Sequence, residues 1–226
     1  MSEIAASACV HPTAIIDATA VIMDNVWVGP NVTIGAETVI EPNAVLGYRA
    51  GFSTKPLRIG KSCLVATNAT IYHSVTLGDG VKIRHNAVVR EEVEIGEGTS
   101  IGSGCTIEPH TGIGRFCSFH CKVHITDYSM IGDYVFIGPG FVSLSDHYLD
   151  YRRPHLHKGY KGVTIGRAAR IGGAVLALPG CEVGEETTVG AGSQISGVLK
   201  PRTVYLGVPA RPVRRVRPEE ELGAQP

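Results

Sequence analysis

The sequence predicts an all-β solenoid, a parallel β-helix whose short strands wind into triangular coils, and three observations predict it. The first is a period of six. Aliphatic residues recur at Val10, Ile16, Ile22, Val28, Ile34, Ile40 and Leu46. They recur again at Ile59, Val65, Ile71, Leu77, Ile83, Val89, Ile95, Ile101, Ile107, Ile113, Phe119, Ile125, Ile131 and Ile137, and a third time at Ile165, Ile171, Ala177, Val183, Val189 and Ile195. An amphipathic helix would repeat its apolar residues every three or four positions and a half-buried strand would alternate; an unbroken six is neither. The second observation is a column of small or β-branched residues four positions later: Ala20, Val26, Val32, Thr38, Ala44, Val75, Val81, Ala87, Val93, Thr99 and Thr111. Such residues suit a pleated strand. The third is glycine directly after the aliphatic site, as at Gly29, Gly78, Gly96, Gly138 and Gly172, where a corner calls for backbone conformations closed to other residues. Each hexad is then one strand plus one turn, and three hexads make one coil. One hexad cannot bury its apolar face alone; stacked coils can.

The chain has 226 residues, and the continuity of the repeat argues for one solenoid over residues 1–199 with a C-terminal extension and tail at 200–226. Its formal net charge is +0, so no nucleic-acid or membrane-surface partner is implied. No apolar run approaches a membrane span, and the N-terminus lacks a charged segment followed by an apolar one, so the expectation is a cytoplasmic protein. Cys63, Cys105, Cys117 and Cys181 fall in the small inward column and read as buried, reduced thiols, whereas Cys9 and Cys121 fall outside it. The chain has no CxxC pair, so no structural zinc site is expected.

The register breaks in three places, and breaks in a strong local rule mark functional sites. Residues 47–58, GYRAGFSTKPLR, form an extruded loop, basic and aromatic, suited to touching a substrate or a neighbouring subunit. Residues 143–162, SLSDHYLDYRRPHLHKGYKG, carry three His and two Asp; a long loop so rich in ionisable groups and aromatic anchors is a functional expectation. After Ile195 comes a basic stretch and then RPEEELGAQP, expected to be a disordered tail without a chemical role.

The repeat over about residues 10–213 resembles the hexapeptide-repeat superfamily, and that resemblance implies a left-handed coil, against the usual right-handed crossover. The C-terminal part resembles the acetyl-CoA-dependent acetyltransferases of that superfamily. Lys200 and Pro201 match their Lys-x-x-Pro-type segment, and Gly207-Val208-Pro209-Ala210-Arg211 matches a GNPA-like motif in which Val208 stands for the family's Asn. The resemblance implies acetyl-CoA as co-substrate, no metal, a homotrimer, and active sites in the groove between subunits. Coenzyme A needs close backbone approach for its pantetheine, which Gly173, Ala174, Gly190 and Ala191 would permit. It needs cations for its phosphates, for which Lys200, Arg202, Arg211, Arg214 and Arg215 stand ready.

Acetyl transfer also needs a group to take a proton from the acceptor, and histidine titrates near neutrality. The run Ser145-Asp146-His147-Tyr148-Leu149-Asp150-Tyr151-Arg152 resembles the His-Pro-Leu-Asp-x-x-x-Arg segment of sugar O-acetyltransferases. It also resembles the Asn-Asp-x-Tyr-Pro-Arg segment of nucleotide-sugar N-acetyltransferases. Either match implies that the loop faces the acceptor, with His147 as base, Asp146 orienting it or holding the sugar, and Tyr148 in contact. Arg84, His85, Asn86 and His120 are expected along the sugar groove, and His73, sharing the register place of His85, is expected to point outward. The resulting expectation is an acetyltransferase acting on an amino sugar, nucleotide-linked, with sugar O-acetylation as the alternative. A γ-carbonic anhydrase-like metal site fits poorly: the place two coils after His85 is Cys121, and His120 and His124 are four apart rather than five. A lipid A-type acyltransferase, suggested by the opening His11-Pro12-Thr13-Ala14-Ile15-Ile16, would carry a helical C-terminal domain, and no helical pattern follows Ile195. A non-catalytic scaffold is the remaining class; it predicts no acetyl-CoA binding.

Overall fold

The computed structural model describes residues 3–49 and 55–223. Residues 50–54, at the centre of the first extruded loop, and 224–226 of the tail lie outside the described residues. Each hexad forms a strand ending on its aliphatic site, as in Val39–Ile40, Lys82–Ile83 and Val88–Val89. The strands assemble into three sheets of 12, 10 and 10 strands. Successive hexads visit sheets one, two and three in rotation. Neighbours within the solenoid are parallel and in register, as in Lys82↔Ser100, Val88↔Thr106 and Glu94↔Gly112, with a register shift where Tyr72 pairs with Tyr48 at the start of the first extruded loop.

The aliphatic column fills the interior: Ile40, Val65, Ile83, Ile101, Ile107, Ile125 and Ile137 are fully buried. The small column is equally buried at Ala20, Val26, Val75, Val81 and Ala87, because the coil is too narrow there for anything larger. Cys63, Cys105, Cys117 and Cys181 are buried as their register requires, and Cys9 and Cys121 are exposed. Burial pushes the Cys105 thiol up to about 11 and the Cys181 thiol up to about 12.

Two expectations are corrected. Within the uninterrupted coils the glycine directly after the aliphatic site is not the residue in the left-handed region; Gly47, where the first loop begins, is (φ 76°). That conformation recurs two positions later, at Asn25, Asn43, Asn68 and Asn86 (φ 57–62°) and at Gly80 and Gly98 (φ 66°), where Asn and Gly are the least strained choices. The leading glycine answers a different constraint, the approach of the next coil: a Cβ on Gly138 would lie 2.5 Å from the backbone nitrogen of Gly173. His73 does not point outward like His85. It is 5% exposed, and neither ring nitrogen finds a hydrogen-bond partner. Its backbone N–H donates to the Tyr48 carbonyl, so the start of the 47–58 loop lies against it.

The C-terminal extension continues the solenoid. Strand Thr203–Gly207 adds in parallel to Thr188–Val189, and Ala210–Arg215 returns antiparallel along it, covering what would otherwise be the open end of sheet one. The described part of the tail packs against the solenoid, contrary to the expectation of a disordered tail. Val216 is buried, Glu220 accepts from both Arg214 and Arg217, and the Leu222 N–H donates to Glu186.

Two measurements check this architecture. A native thiol titration should find Cys9 and Cys121 reactive and the other four protected until the chain unfolds; fast labelling of Cys105 or Cys181 would contradict the register. Gly138→Ala should lower stability by about 1–3 kcal/mol, the range for overpacking a filled site, read from denaturant melts.

Candidate functional site

A triangular coil has three edges, and the expected site residues distribute over all of them. The first edge, between sheets one and two, carries Arg84, His85, Asn86, His120, Gly173, Ala174, Gly190 and Ala191, each within three residues of a sheet-one strand. The second edge, between sheets two and three, emits both extruded loops: the strands Val45–Tyr48 and Val142–Ser143 that precede them belong to the same sheet. His147, Asp146 and Tyr148 therefore stand on the second edge. Lys200 follows the sheet-three strand Val198–Leu199 and stands on the third. Arg211 and Arg214 lie on the terminal hairpin. One protomer thus does not bring the expected catalytic, acceptor and coenzyme groups together on one edge.

The loop on the second edge is folded upon itself. The Asp146 carboxylate accepts hydrogen bonds from the backbone N–H groups of Tyr148 (2.9 Å), Leu149 (2.8 Å) and Asp150 (3.2 Å). Partial desolvation opposes its ionisation, but these three donors, helped by His157, hold the carboxyl below its ordinary value. Asp146 is therefore engaged with its own turn, and no hydrogen bond joins it to His147. The His147 ring packs edge-on against Tyr148 at 5.1 Å. Further along, the short 3-10 turn Pro154–Leu156 brings His157 back, and its Nδ1 pairs with the Asp150 carboxylate. Tyr160 lies edge-on to His157 at 5.1 Å, and the charge of Asp150, foremost, pushes the Tyr160 phenol up. The Lys158 ammonium sits 5.0 Å over the Tyr148 ring, and the Lys161 N–H donates to the Ser145 carbonyl, closing the loop at its base.

On the first edge, His85 lies 3.7 Å from the Glu41 carboxylate, which also accepts from the Thr67 N–H and hydroxyl. Asn86 accepts a hydrogen bond from Asn68 at 3.4 Å, and His120 meets Phe136 edge-on at 5.2 Å. The four small residues differ from one another. Ala174 and Ala191 are exposed. The Cβ space of Gly190, in contrast, holds a Leu206 methyl at 1.8 Å, and that of Gly173 is bounded by Pro139 at 3.1 Å. Among the cations, Arg214 is bound bidentately by Glu220 at 2.8 and 2.9 Å, while Lys200 and Arg211 form no ion pair among the described residues. Glu220, held by two guanidinium groups, stays far below its ordinary value.

The bacterial transferase hexapeptide (six repeats) family matches this chain at residues 19–53, 56–91 and 78–109. Over those segments the chain carries the hexapeptide repeat that the family is described by. Among solved structures, LpxA from Acinetobacter baumannii matches 93% of this chain and 73% of its own, at TM-score 0.65 and 21% identity. A UDP-N-acetylglucosamine acyltransferase from Francisella novicida matches 93% and 69%, at 0.66 and 20%. These likenesses establish the fold as a left-handed β-helix. Among curated relatives, galactoside O-acetyltransferase of Escherichia coli K12 is 30% identical over 115 residues, 50% of this chain and 56% of that protein. A putative acetyltransferase of Schizosaccharomyces pombe is 30% identical over 113 residues, 49% and 54%. The match spans about half the length of each curated relative.

In this hexapeptide-repeat chain the sequence reading missed the Asp150–His157 pair. The signal was present, since both residues lie in the loop singled out for function, but His157 follows Asp150 by seven positions of irregular chain and no periodicity relates them. Among the described residues no group of three or more His, Cys, Asp or Glu side chains is arranged to hold a metal ion, and no helix is long and apolar enough to cross a membrane.

The lowered Asp146 carboxyl makes the order of its turn pH-dependent. Its folded value lies below the unfolded one, so the stabilisation is complete above the ordinary carboxylate pKa of about 3.9 and is lost as pH falls through the lowered value. At neutral pH, Asp146→Ala should remove hydrogen-exchange protection at the Tyr148, Leu149 and Asp150 amides; unchanged protection would show that the carboxylate does not hold the turn.

Proposed function

We propose that this chain is an acetyl-CoA-dependent acetyltransferase whose acceptor is a sugar. The observation that carries the reading is the 144–162 loop, a self-supported insertion presenting imidazole and carboxylate groups from one edge of a hexapeptide-repeat β-helix. The names of the two curated relatives support the reaction class, and the Escherichia coli protein supports a sugar acceptor. From sequence resemblance, the acceptor is an amino sugar carried on a nucleotide and acetylated at nitrogen. A hydroxyl acceptor is the second reading, favoured by that relative's O-acetyl chemistry.

The residues fit coenzyme A in part. Ala174 and Ala191 expose a surface of small side chains on the first edge, and a Cβ on the adjacent Gly192 would meet nothing within 4 Å; an extended amide chain can lie against such a surface. Lys200, Arg211 and Arg215 are cations left open for phosphate, whereas Arg214 must first exchange Glu220. Acetyl-CoA supplies an activated acyl group as a thioester. What the chain adds is binding, orientation and a proton acceptor from the second-edge loop, His147 by resemblance.

The separation of these groups over different edges supports a homotrimer. A closed ring of three copies uses heterologous contacts, one edge of each copy meeting a different edge of the next. That arrangement sets the loop of one protomer against the first edge of its neighbour, where Arg84, His85, Asn86 and His120 would face the acceptor.

The test is free-thiol release from acetyl-CoA against a panel of nucleotide-linked amino sugars and simple glycosides, with coenzyme A-induced melting shifts in parallel. Acceptor-dependent thiol release and a rise in Tm are expected. Silence across the panel, with no shift by coenzyme A, would overturn the enzyme class and favour a scaffold.

A further inference from the structure

We infer that residues 216–223 form an autoinhibitory strap, in which the Glu220 carboxylate occupies the place that a phosphate must take on Arg214. This deepens the acetyltransferase reading and rests on the phosphate role that reading gives to Arg214.

The strap follows directly on the hairpin strand Ala210–Arg215. Its Glu220 accepts from Arg214 Nη1 and Nη2 at 2.8 and 2.9 Å, and from Nη2 and the backbone N–H of Arg217, each at 2.9 Å. A guanidinium fork, a second guanidinium and a backbone N–H are donors that hold a phosphate as readily as a carboxylate. The carboxylate brings one negative charge, whereas a phosphate monoester brings roughly 1.5 to 2, so the phosphate is the stronger ligand once it arrives. The two guanidinium groups hold the Glu220 carboxyl far below its ordinary value. Mild acid therefore does not release the strap, and competition by another anion does.

The rest of the strap is held lightly. The Leu222 N–H donates to Glu186 at 3.1 Å, and Glu221 accepts from Arg202 at 3.4 Å. Among the described residues Val216 is its one buried apolar side chain, and Leu222 is 47% exposed. Between residues 220–223 and the solenoid lies a hollow of about 330 Å³, walled on the solenoid side by Tyr134, Phe136, Ala168, Arg170 and Glu186. Arg170 and Thr188 are neighbours in register on sheet one, and Arg170 Nε and Thr188 Oγ1 are buried without a hydrogen-bond partner. The strap thus rests on ion pairs at the protein surface, which contribute little individually, over a surface it does not fill. A segment with so few apolar contacts opens at low cost.

A closed strap weakens ligand binding in proportion to the fraction of chains in which Arg214 is open. Glu220 follows Arg214 by six positions, and a group on so short a tether competes at an effective concentration of about millimolar. Free phosphate below that level is excluded. A ligand that also binds elsewhere on the chain displaces the carboxylate. Coenzyme A and a nucleotide-linked acceptor both carry such a phosphate.

The experiment titrates the full chain calorimetrically with inorganic phosphate, coenzyme A and uridine diphosphate, comparing wild type with Glu220→Gln and Glu219→Gln. Glu219 meets Arg217 Nε at 3.3 Å, is 61% exposed and forms no ion pair with Arg214, so its variant makes the same charge change beside the contact. Glu220→Gln should tighten binding about three- to tenfold, the scale of a lost surface ion-pair network, and Glu219→Gln should change it by less than about twofold. Whether the gain follows coenzyme A or uridine diphosphate names the source of the phosphate. In the wild-type protein, saturating ligand should remove hydrogen-exchange protection from the Glu220 and Leu222 amides, which donate to the Arg217 carbonyl and to Glu186. The inference is overturned if Glu220→Gln binds none of the three more tightly than wild type, or if both amides stay protected at saturation. Coenzyme A binding to neither protein, with the gain present for phosphate or uridine diphosphate, would keep the strap and overturn the acetyltransferase reading instead.

Discussion

Every feature of this molecule depends on coils stacking at main-chain distance. Each residue of a strand bonds to residues one coil above and below, as when the Ser100 N–H donates to the Cys117 carbonyl and the Lys82 N–H to that of Thr99. Where a glycine follows the aliphatic site, the next coil leaves no space for a side chain; at Gly96 a Cβ would lie 2.7 Å from the Gly114 carbonyl carbon. This crowding, rather than any need for unusual dihedrals, puts glycine there. The conformational demand falls two residues later, where nearly every turn passes through the left-handed region. Phe116 and Tyr134 accept it too (φ 55° and 60°), and their rings stack at 5.4 Å along the third edge. Strain at one corner is thus offset by contact between successive corners.

A stack so regular can host chemistry only where it is interrupted or at its edges. Both extruded loops leave from the second edge, so the repeat confines its exceptions to one line along the molecule. Between them that line carries ion pairs and stacked rings: Glu92 bonds His110 at 3.3 Å, and His110 stacks on Tyr128 at 4.9 Å. The 144–162 loop follows, and within it an acidic frame of Asp146 and Asp150 fixes a turn and an imidazole. The first edge is different in kind, with the exposed Ala174 and Ala191 and the Glu41–Thr67–His85 group. The division of labour between edges is what makes a second copy of the chain part of the functional proposal.

Nearly all of the fold was legible in the sequence because it is a one-dimensional repeat: Ile83, Ile101 and Ile125 occupy equivalent places, and each vouches for the others. The same register placed four cysteines in the core. Legibility failed wherever a side chain is governed by contacts outside its own column. His73 and His85 share a register place, yet the neighbouring loop buries one and leaves the other exposed. Arg214 reads as a free cation until the tail's Glu220 is found on it. Asp146 sits beside His147 in sequence, but backbone N–H groups two to four residues ahead claim its oxygens. The Asp150–His157 pair depends on an irregular turn that no period encodes.

In the proposed assembly the site lies between copies, the loop edge of one facing the small-residue edge of the next. Mixing two inactive variants tests it most directly. One is altered only in the loop (His147→Ala with His157→Ala), the other only on the first edge (Ala191→Trp), and the two are unfolded and refolded together. If the site lies between copies in a closed trimer, random association restores about a quarter of the wild-type sites, and thiol release from acetyl-CoA returns to that level. If each chain holds its own complete site, every protomer in the mixture keeps its defect, and the mixture stays as inactive as its parents.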